Sequence, residues 1–356
     1  MHGVEKLRKE IDKIDDEILA LLNKRSDIVL SIAHIKRNEN AKFYSPERER
    51  QILERLTSLN PGPFPNETLR VIYREILSAS LYLEEPLKVA CLGPLATFTH
   101  LAGLRHFGSS AQFLPVESIK DVFDAVEKGQ TEFGVVPIEN SNEGVISYTL
   151  DLFIDSELKV SAEVMLEITH NILSLSGDKS KVKKVYSFSP ATAQCRRWLQ
   201  QNLAGVPIVE ATSTANAAEL ASREDEAAAI ASDLAAKIYN LRFIERHIED
   251  SRQNYTRFLV ISKDFPHQSG RDKTSIMFTL KNKPGSLYNS LEPFKKARIN
   301  LTKIESRPSK RKAWEYIFFA DMEGHIENKK LSRAIDAVKD NCLFLKILGS
   351  YPYGGL

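Results

Sequence analysis

Near the N-terminus, four cations and one carboxylate are spaced for work on an anion. Val4, Leu7, Ile11, Ile14, Ile18, Leu21, Ile28, Ile32 and Ile35 recur at alternating steps of three and four, the apolar stripe of a helix that packs on another helix. The rhythm demands an apolar residue at position 25 and finds Arg25. A guanidinium cannot shed its charge, so burying it requires an anionic partner. Lys36 follows three helical turns later, ~16 Å along nearly the same line, and Arg8 sits beside the stripe near its other end. Long cationic side chains so placed can converge on one small anionic ligand. Arg48 and Glu49, in SPERERQ, open the next helical run, where backbone N–H groups also favour an anion. The competing reading is a coiled-coil dimer in which Arg25 pairs with Asp15, Asp16 or Glu17, and spacing alone does not choose.

Further along, hydroxyls and amides cluster beside apolar strand patterns in GPLATFTHLA (93–102), PIENSNEG (137–144), ATSTANAAELA (211–221) and NYTRFLVI (254–261). Singly, Ser-Thr-Ala-Asn is an ordinary helix N-cap and Pro-Ile-Glu-Asn-Ser a strand-end turn. Pro284-Gly285 makes a turn whose backbone can approach a ligand, ahead of a helix from Ser286. His100, His170 and His247 stand alone without ligand spacing and read as structural. Cys91, Cys195 and Cys342 are odd in number and far apart, which indicates neither a disulfide framework nor a zinc site.

The elements that must position these groups follow from periodicity and punctuation. Residues 4–37 form one helix, roughly 50 Å long and too long for an 85-residue globule, so it is expected to pack on a second copy of itself. Ser45-Pro46 opens a second helix, and Asn66 or Thr68 caps a third that ends near Glu85-Pro86. From Pro86 the pattern becomes an αβ alternation. LKVACLG and GVVPIE are strands, AEVMLEITHNILSLS, KKVYSFS, VPIVEA, AAAIAS and RFLVIS follow, and helices fall at 190–203, 214–223 and 232–240. Sites are expected at the carboxyl ends of strands. After the polar linker 264–272, KTSIMFTLK, INLTKIESRPS, AWEYIFFADMEG and CLFLKILGSYP read as strands around two helices, a ferredoxin-like βαββαβ order.

With 356 residues, 42% hydrophobic, 27% charged and a net charge of +2, the chain reads as an ordinary soluble multidomain protein. The small net charge supplies little reason to propose a nucleic-acid partner, and no apolar run is long enough for a membrane span. A charged N-terminus without a signal-peptide core makes the cytoplasm the expected location.

LRKEIDKIDDEILALLNKRSDIVLSIAHIKR with FYSPERERQILERL resembles the all-helical class of chorismate mutases. PIENS, STANAA and TRF in this order resemble prephenate dehydratase over 87–265, and NKPGSLYNSL with IESRPS resembles the effector segments of an ACT domain. The resemblance implies an intertwined helical mutase module (1–86) and a two-lobed, periplasmic-binding-protein-like α/β dehydratase module (87–265). It further implies a ferredoxin-like ACT module (273–352). Chorismate would rearrange to prephenate, which would lose water and carbon dioxide to give phenylpyruvate in phenylalanine biosynthesis, with feedback by L-phenylalanine. The protein would be a homodimer or tetramer needing no cofactor or metal. In the mutase, the resemblance implies that Arg8 from the partner chain, Arg25 and Arg48 clamp the carboxylates of chorismate. Lys36 would donate to the ether oxygen, Glu49 take the ring hydroxyl, and Ser80 and Glu84 complete the pocket, with Ser45 standing where some members carry an acid. Glu84 replaces a glutamine of some members and can donate only when protonated. In the dehydratase, Thr256 would be the essential donor, within a network from Asn140, Ser141, Ser213 and Thr214. Glu139 is a candidate proton source, Arg257 a carboxylate anchor or a structural ion pair, and Thr97 and Thr99 are ligand contacts. Leu95, Ala96, Ser189 and Ala191 depart from the family pattern without removing an assigned group. The effector would be held by Pro284, Gly285, Ser286 (in place of the usual alanine), Leu287, Glu305, Ser306, Arg307 and Pro308. The rivals are a non-catalytic dimeric amino-acid sensor and an enzyme with one activity lost.

Overall fold

The three–four repeat folds as one uninterrupted helix, α1 (His2–Asn38), about 55 Å long at 1.5 Å per residue. The computed structural model describes residues 2–39, 43–251, 253–309 and 315–354, and the chain divides into two compact units. One comprises residues 1–87 with 107–112, the other residues 88–106 with 113–356. Helix α2 (Pro46–Leu59) starts as its sequence dictates, since Ser45 Oγ accepts from the Arg48 N–H and Pro46 takes the first turn. Helix α3 (Asn66–Glu84) differs from expectation. Pro65 stands at its cap position with no side-chain cap, and Asn66 instead binds Asn60 Nδ2 at 2.7 Å to close the loop. Thr68 lies inside the helix, not at its cap.

Helix α3 covers only the C-terminal half of α1. Val29 and Ala33 are buried there, Leu22, Arg25, Ser26 and Lys36 are half-buried, and residues 3–21 are all exposed. The nine apolar stripe residues from Val4 to Ile35 remain 43–65% exposed, because α3 packs on a face rotated away from them. A stripe this long and this apolar is unpartnered within one chain.

The second unit begins with β1 (Lys88–Leu92), α4 (Phe98–Phe107), β2 (Gln112–Val116), α5 (Ile119–Glu127), β3 (Phe133–Asn140), β4 (Gly144–Val145), α6 (Ser147–Asp155) and β5 (Lys159–Glu167). It continues with β6 (Asn171–Ser174), β7 (Lys184–Ser187), α7 (Ser189–Gln194), α8 (Arg196–Asn202), β8 (Ile208–Glu210), α9 (Thr214–Ala221), β9 (Ala227–Ala231), α10 (Asp233–Ile238), β10 (Arg242–Glu245) and β11 (Tyr255–Ser262). Two sheets result, ordered β2-β1-β3-β11-β5 (with β4 on β3) and β10-β6-β9-β7-β8. The chain crosses between these lobes twice, after β5 and after β10. The stretch 162–176 becomes parts of two strands in different sheets, the helix expected over 190–203 breaks at Cys195, and β2 and β10 were not legible as strands. All five alanine-rich residues of β9 are fully buried; their small side chains let Ala217, Ala218 and Ala221 of α9 pack directly on the sheet.

The C-terminal part carries β12 (Asp272–Thr279), α11 (Ser286–Lys296), β13 (Leu301–Pro308), β14 (Tyr316–Glu323), α12 (Lys329–Lys339) and β15 (Phe344–Pro352). Ala313 and Trp314, read as the start of β14, lie outside the described residues. The antiparallel order β13-β14-β12-β15 is the ferredoxin-like arrangement. Strand alternation sends Ile276 and Phe278 toward α11 and α12, while Met277, with Ile317, Phe319, Leu348 and Tyr351, joins the core of the first lobe. Gly349 runs so close to Val160 that a Cβ there would collide with its carbonyl oxygen. Among the described residues no helix is long and apolar enough to cross a membrane.

Candidate active sites

In the helical unit, Arg25 Nη1 donates to Ser80 Oγ, which passes its own proton to the Ile76 carbonyl at 2.7 Å. Among the described residues no carboxylate pairs with Arg25. Asp15, Asp16 and Glu17 lie on the exposed N-terminal half of α1. Lys36 Nζ donates to Glu84 Oε2 at 3.1 Å and to the Phe43 carbonyl at 2.9 Å. One chain therefore brings Arg25, Lys36, Ser80 and Glu84 to the α1–α3 contact. Arg8 is absent from it, exposed about 25 Å away along the same helix and paired with Glu5 at 3.8 Å. Ser45 is committed to capping and to Glu47 (2.9 Å), and Arg48 is exposed.

Burial pushes the Glu49 carboxyl up from its ordinary 4.5 to about 7, with Arg74 opposing. Between pH 4.5 and 7 the unfolded chain ionises here while the folded one keeps its proton, so folding stability falls as pH rises through that window. Glu49→Gln should match wild type near pH 4.5 and melt a few degrees higher at pH 8. Thermal unfolding of the two proteins across pH checks this, and parallel profiles would exclude it.

At the other site, the antiparallel register of β11 on β3 sets Thr256 opposite Asn140, so the start of one strand meets the carboxyl end of the other. Asn140 Nδ2 donates to Thr256 Oγ1 and to Asn254 Oδ1, each at 2.8 Å. Asn140 Oδ1 accepts from the backbone of Asn142 and Glu143 at 2.9 and 3.0 Å. Ser141 Oγ accepts from the Tyr255 N–H at 3.0 Å and donates to the Gln253 carbonyl at 3.2 Å, locking the same corner. Other expected groups are occupied locally. Thr97 Oγ1 donates to the Leu92 carbonyl at 2.7 Å and accepts from His100 N, serving the first turn of α4, where Thr99 is buried. Ser213 caps α9 through Asn216 N at 3.0 Å, and Thr214 begins that helix, in the other lobe from Thr256.

Strand alternation sends Arg257 away from Thr256. Its guanidinium is buried and binds Glu163 at 2.7 Å, Asp321 at 2.6 Å and the Tyr351 hydroxyl at 3.0 Å. Lys273 adds two 2.8 Å bonds to Glu163. Of the two roles expected for Arg257, the structure has the ion pair, because every arm of the fork is already occupied. Glu139 faces the same way and binds Lys303 of β13 at 2.6 Å. Its carboxylate is therefore engaged across to β13, on the face opposite Thr256. Asp321 is held low by Arg257 and Ser275, which outweigh its burial, the largest single influence and one that raises it.

In the C-terminal part, Gly285 takes φ +81°, the left-handed conformation that glycine tolerates, to start α11. Ser286 and Leu287 line a 450 Å³ cavity with Leu280, Tyr316 and Phe318. Pro284 and Gly285, and Glu305, Ser306 and Pro308 of β13, are not in its lining, and Arg307 is directed to Asp151 (2.9 Å) and Ser147 of α6. That guanidinium is spent on the first lobe, which corrects its expected effector role.

The description "Chorismate mutase type II" matches residues 7–85 and "Prephenate dehydratase" residues 89–266. A bifunctional chorismate mutase/prephenate dehydratase of Aquifex aeolicus is 51% identical over 99% of this chain and 98% of its own length. The chain belongs to the bifunctional chorismate mutase/prephenate dehydratase family. The Pseudomonas aeruginosa member is 41% identical over 97% of this chain and 96% of its own. The structure of an Arthrobacter aurescens prephenate dehydratase in complex with L-Phe is similar at TM-score 0.69 and 30% identity, covering 75% of this chain and 90% of that one.

This bifunctional enzyme thus carries a chorismate mutase and a prephenate dehydratase, and makes phenylpyruvate for phenylalanine. The mutase reaction breaks one C–O bond and forms one C–C bond within a single molecule. Its demands are restraint of two arms and donors at the ether oxygen. The dehydratase reaction is driven by aromatisation, and its demand is a proton for the departing hydroxide. Sequence reasoning missed Gln194 and Asn254, which join the Thr256 corner through their side-chain amides, and read His170, whose ring binds Gln194, as structural. Asn254 stood in the quoted NYTRF segment, two residues before Thr256. Nothing in one sequence sets Gln194 beside it.

Proposed function

We propose that Arg25, Lys36, Ser80, Glu84, Arg48 and Glu49 form the mutase pocket, completed by Arg8 of a second copy. Support for the dimer comes from the apolar stripe of α1, exposed along its whole length in one chain. Support for Arg25 as a carboxylate clamp comes from its half-buried guanidinium, which among the described residues has a hydroxyl but no carboxylate as partner. In the dehydratase, Thr256 donates to the leaving hydroxyl of prephenate. The single observation that carries this reading is that its oxygen accepts from Asn140, which leaves its own proton to be given away. Ser141, Ser213, Thr214, Thr97 and Thr99 shape the surrounding cleft.

Residues 273–352 act as an ACT domain that binds L-phenylalanine, with Pro284, Gly285, Ser286 and Leu287 at the ligand. The support is the ferredoxin-like order, the cavity beside Gly285, and the L-Phe complex of the Arthrobacter relative. Lys303 and Arg307 then link β13 to the first lobe, so a ligand that favours one arrangement of the domain changes dehydratase activity. The enzyme works in the cytoplasm. Purified protein fed chorismate should consume it and release phenylpyruvate, and added L-phenylalanine should slow the second step at least severalfold without slowing the first. Phenylpyruvate formation indifferent to L-phenylalanine would remove the regulatory part of the proposal.

A further inference from the structure

We propose that Gln194, Asn254 and His170 are positioning residues that hold the Asn140 amide in the one orientation leaving the Thr256 proton free for substrate. The inference rests on the reading of Thr256 as the donor. Its first fixed end is Glu143, a carboxylate that accepts and does not donate, 3.0 Å from Gln194 Nε2. That obliges Gln194 to turn its N–H outward and its oxygen inward. Gln194 Oε1 then accepts from His170 Nε2 and from Asn254 Nδ2, both at 2.8 Å. Asn254 in turn must present Oδ1 to Asn140, whose Nδ2 reaches it and Thr256 at 2.8 Å each. The second fixed end is the backbone, since the N–H groups of Asn142 and Glu143 demand Asn140 Oδ1 on the opposite side.

Both ends require the same sequence of donors, so the orientation of all three amides is assigned. An oxygen that receives the Asn140 proton finds no acceptor on that amide and directs its own proton elsewhere. His170 is 2% exposed and Asn254 1% exposed, so water does not compete for the bonds these two make to Gln194, while the outer bond from Gln194 to Glu143 is open to solvent. Nε2 of His170 carries the ring proton because Gln194 Oε1 only accepts. Its Nδ1 has no partner among the described residues, and burial lowers its pKa and keeps the ring neutral. The chain spans both lobes. Glu143 lies in the first lobe and Gln194 ends α7 in the second, while His170 and Asn254 sit in the two crossing segments. Thr256 is therefore aimed only while the lobes hold this relation.

The test is Asn254→Asp in the full chain. The new carboxylate keeps the shape and the acceptor toward Asn140 but, when ionised, has no proton for Gln194. At pH 8, kcat for prephenate should fall about 30- to 100-fold relative to wild type, with KM changed less than about twofold. As pH is lowered toward 5.5 and the new carboxyl protonates, the variant-to-wild-type ratio should recover. Gln194→Leu should lose a similar factor at every pH, with no recovery. Mutase activity on chorismate in the same samples reports folding. A wild-type kcat at pH 8 for either variant, a pH-independent loss in Asn254→Asp, or a loss confined to KM overturns the proposal. Dehydratase activity surviving in Thr256→Ala overturns the donor reading itself, whatever Asn254 does.

Discussion

Thr256→Ala should stop the chain at prephenate. Dehydratase kcat is expected to fall by about 10²–10³-fold, the usual cost of removing one aimed donor from a transition state. The threonine hydroxyl is far too weak an acid to protonate hydroxide unaided, so its value lies in position and in its bond from Asn140. Thr256 is 8% exposed, and its replacement leaves one Asn140 N–H unpaired, a modest cost to stability. Mutase activity, housed in the other compact unit, should be unchanged. Feeding chorismate to the variant should therefore accumulate prephenate at the wild-type rate. Thr256→Ser restores the hydroxyl and should recover much of the loss. If phenylpyruvate formed from prephenate at near wild-type rate in the alanine variant, the donor role would be wrong.

Arg25→Ala should do the reverse. On the proposed clamp role, two charge-assisted bonds from a planar fork to a substrate carboxylate would disappear, and kcat/KM for chorismate should drop by about 10²–10³-fold. The fold should tolerate the change because, among the described residues, no carboxylate loses a partner; Ser80 keeps its bond to Ile76. Dehydratase activity on supplied prephenate should stay at wild type. Arg25→Lys should recover little, since an ammonium does not match a carboxylate bidentately. The same variant tests where Arg8 comes from. If the protein is the proposed dimer, Arg8→Ala and Arg25→Ala chains, each expected to be inactive alone, should form mixed dimers after being unfolded and refolded together. Half the dimers are then mixed, each with one site holding both arginines, so about a quarter of wild-type mutase activity should return. No recovery in demonstrated mixed dimers would remove the partner's Arg8 from the site.

Much of the local architecture was readable because it depends on neighbours in sequence. The stripe of α1, the Ser45-Pro46 start of α2, the Ser213 cap and the βαββαβ order all follow from side-chain period and turn chemistry. Errors arose where a residue's job is set by a distant partner. Asn66 has the right chemistry for a cap but bonds across the loop to Asn60. Glu139 carries the right charge for substrate work, yet Lys303 binds it from far along the chain, and of the two roles read for Arg257 the distant Glu163 and Asp321 select the ion pair. Arg307 is likewise taken by Asp151.

By itself the sequence determined the helical and strand periods, the cation on the apolar stripe, and the motifs that mark both reactions. These are short-range properties, carried by residue type and spacing. Tertiary structure alone decided that α3 covers half of α1 and leaves the stripe open, and that the C-terminal sheet shares a core with the first lobe. It also decided that the Thr256 hydroxyl accepts from an amide. Thr256 meets Asn140 only through antiparallel register across 116 residues, and Asn140 is oriented by groups from two lobes. Hydrogen-bond direction depends on the whole set of partners, and that set exists only once the chain has folded.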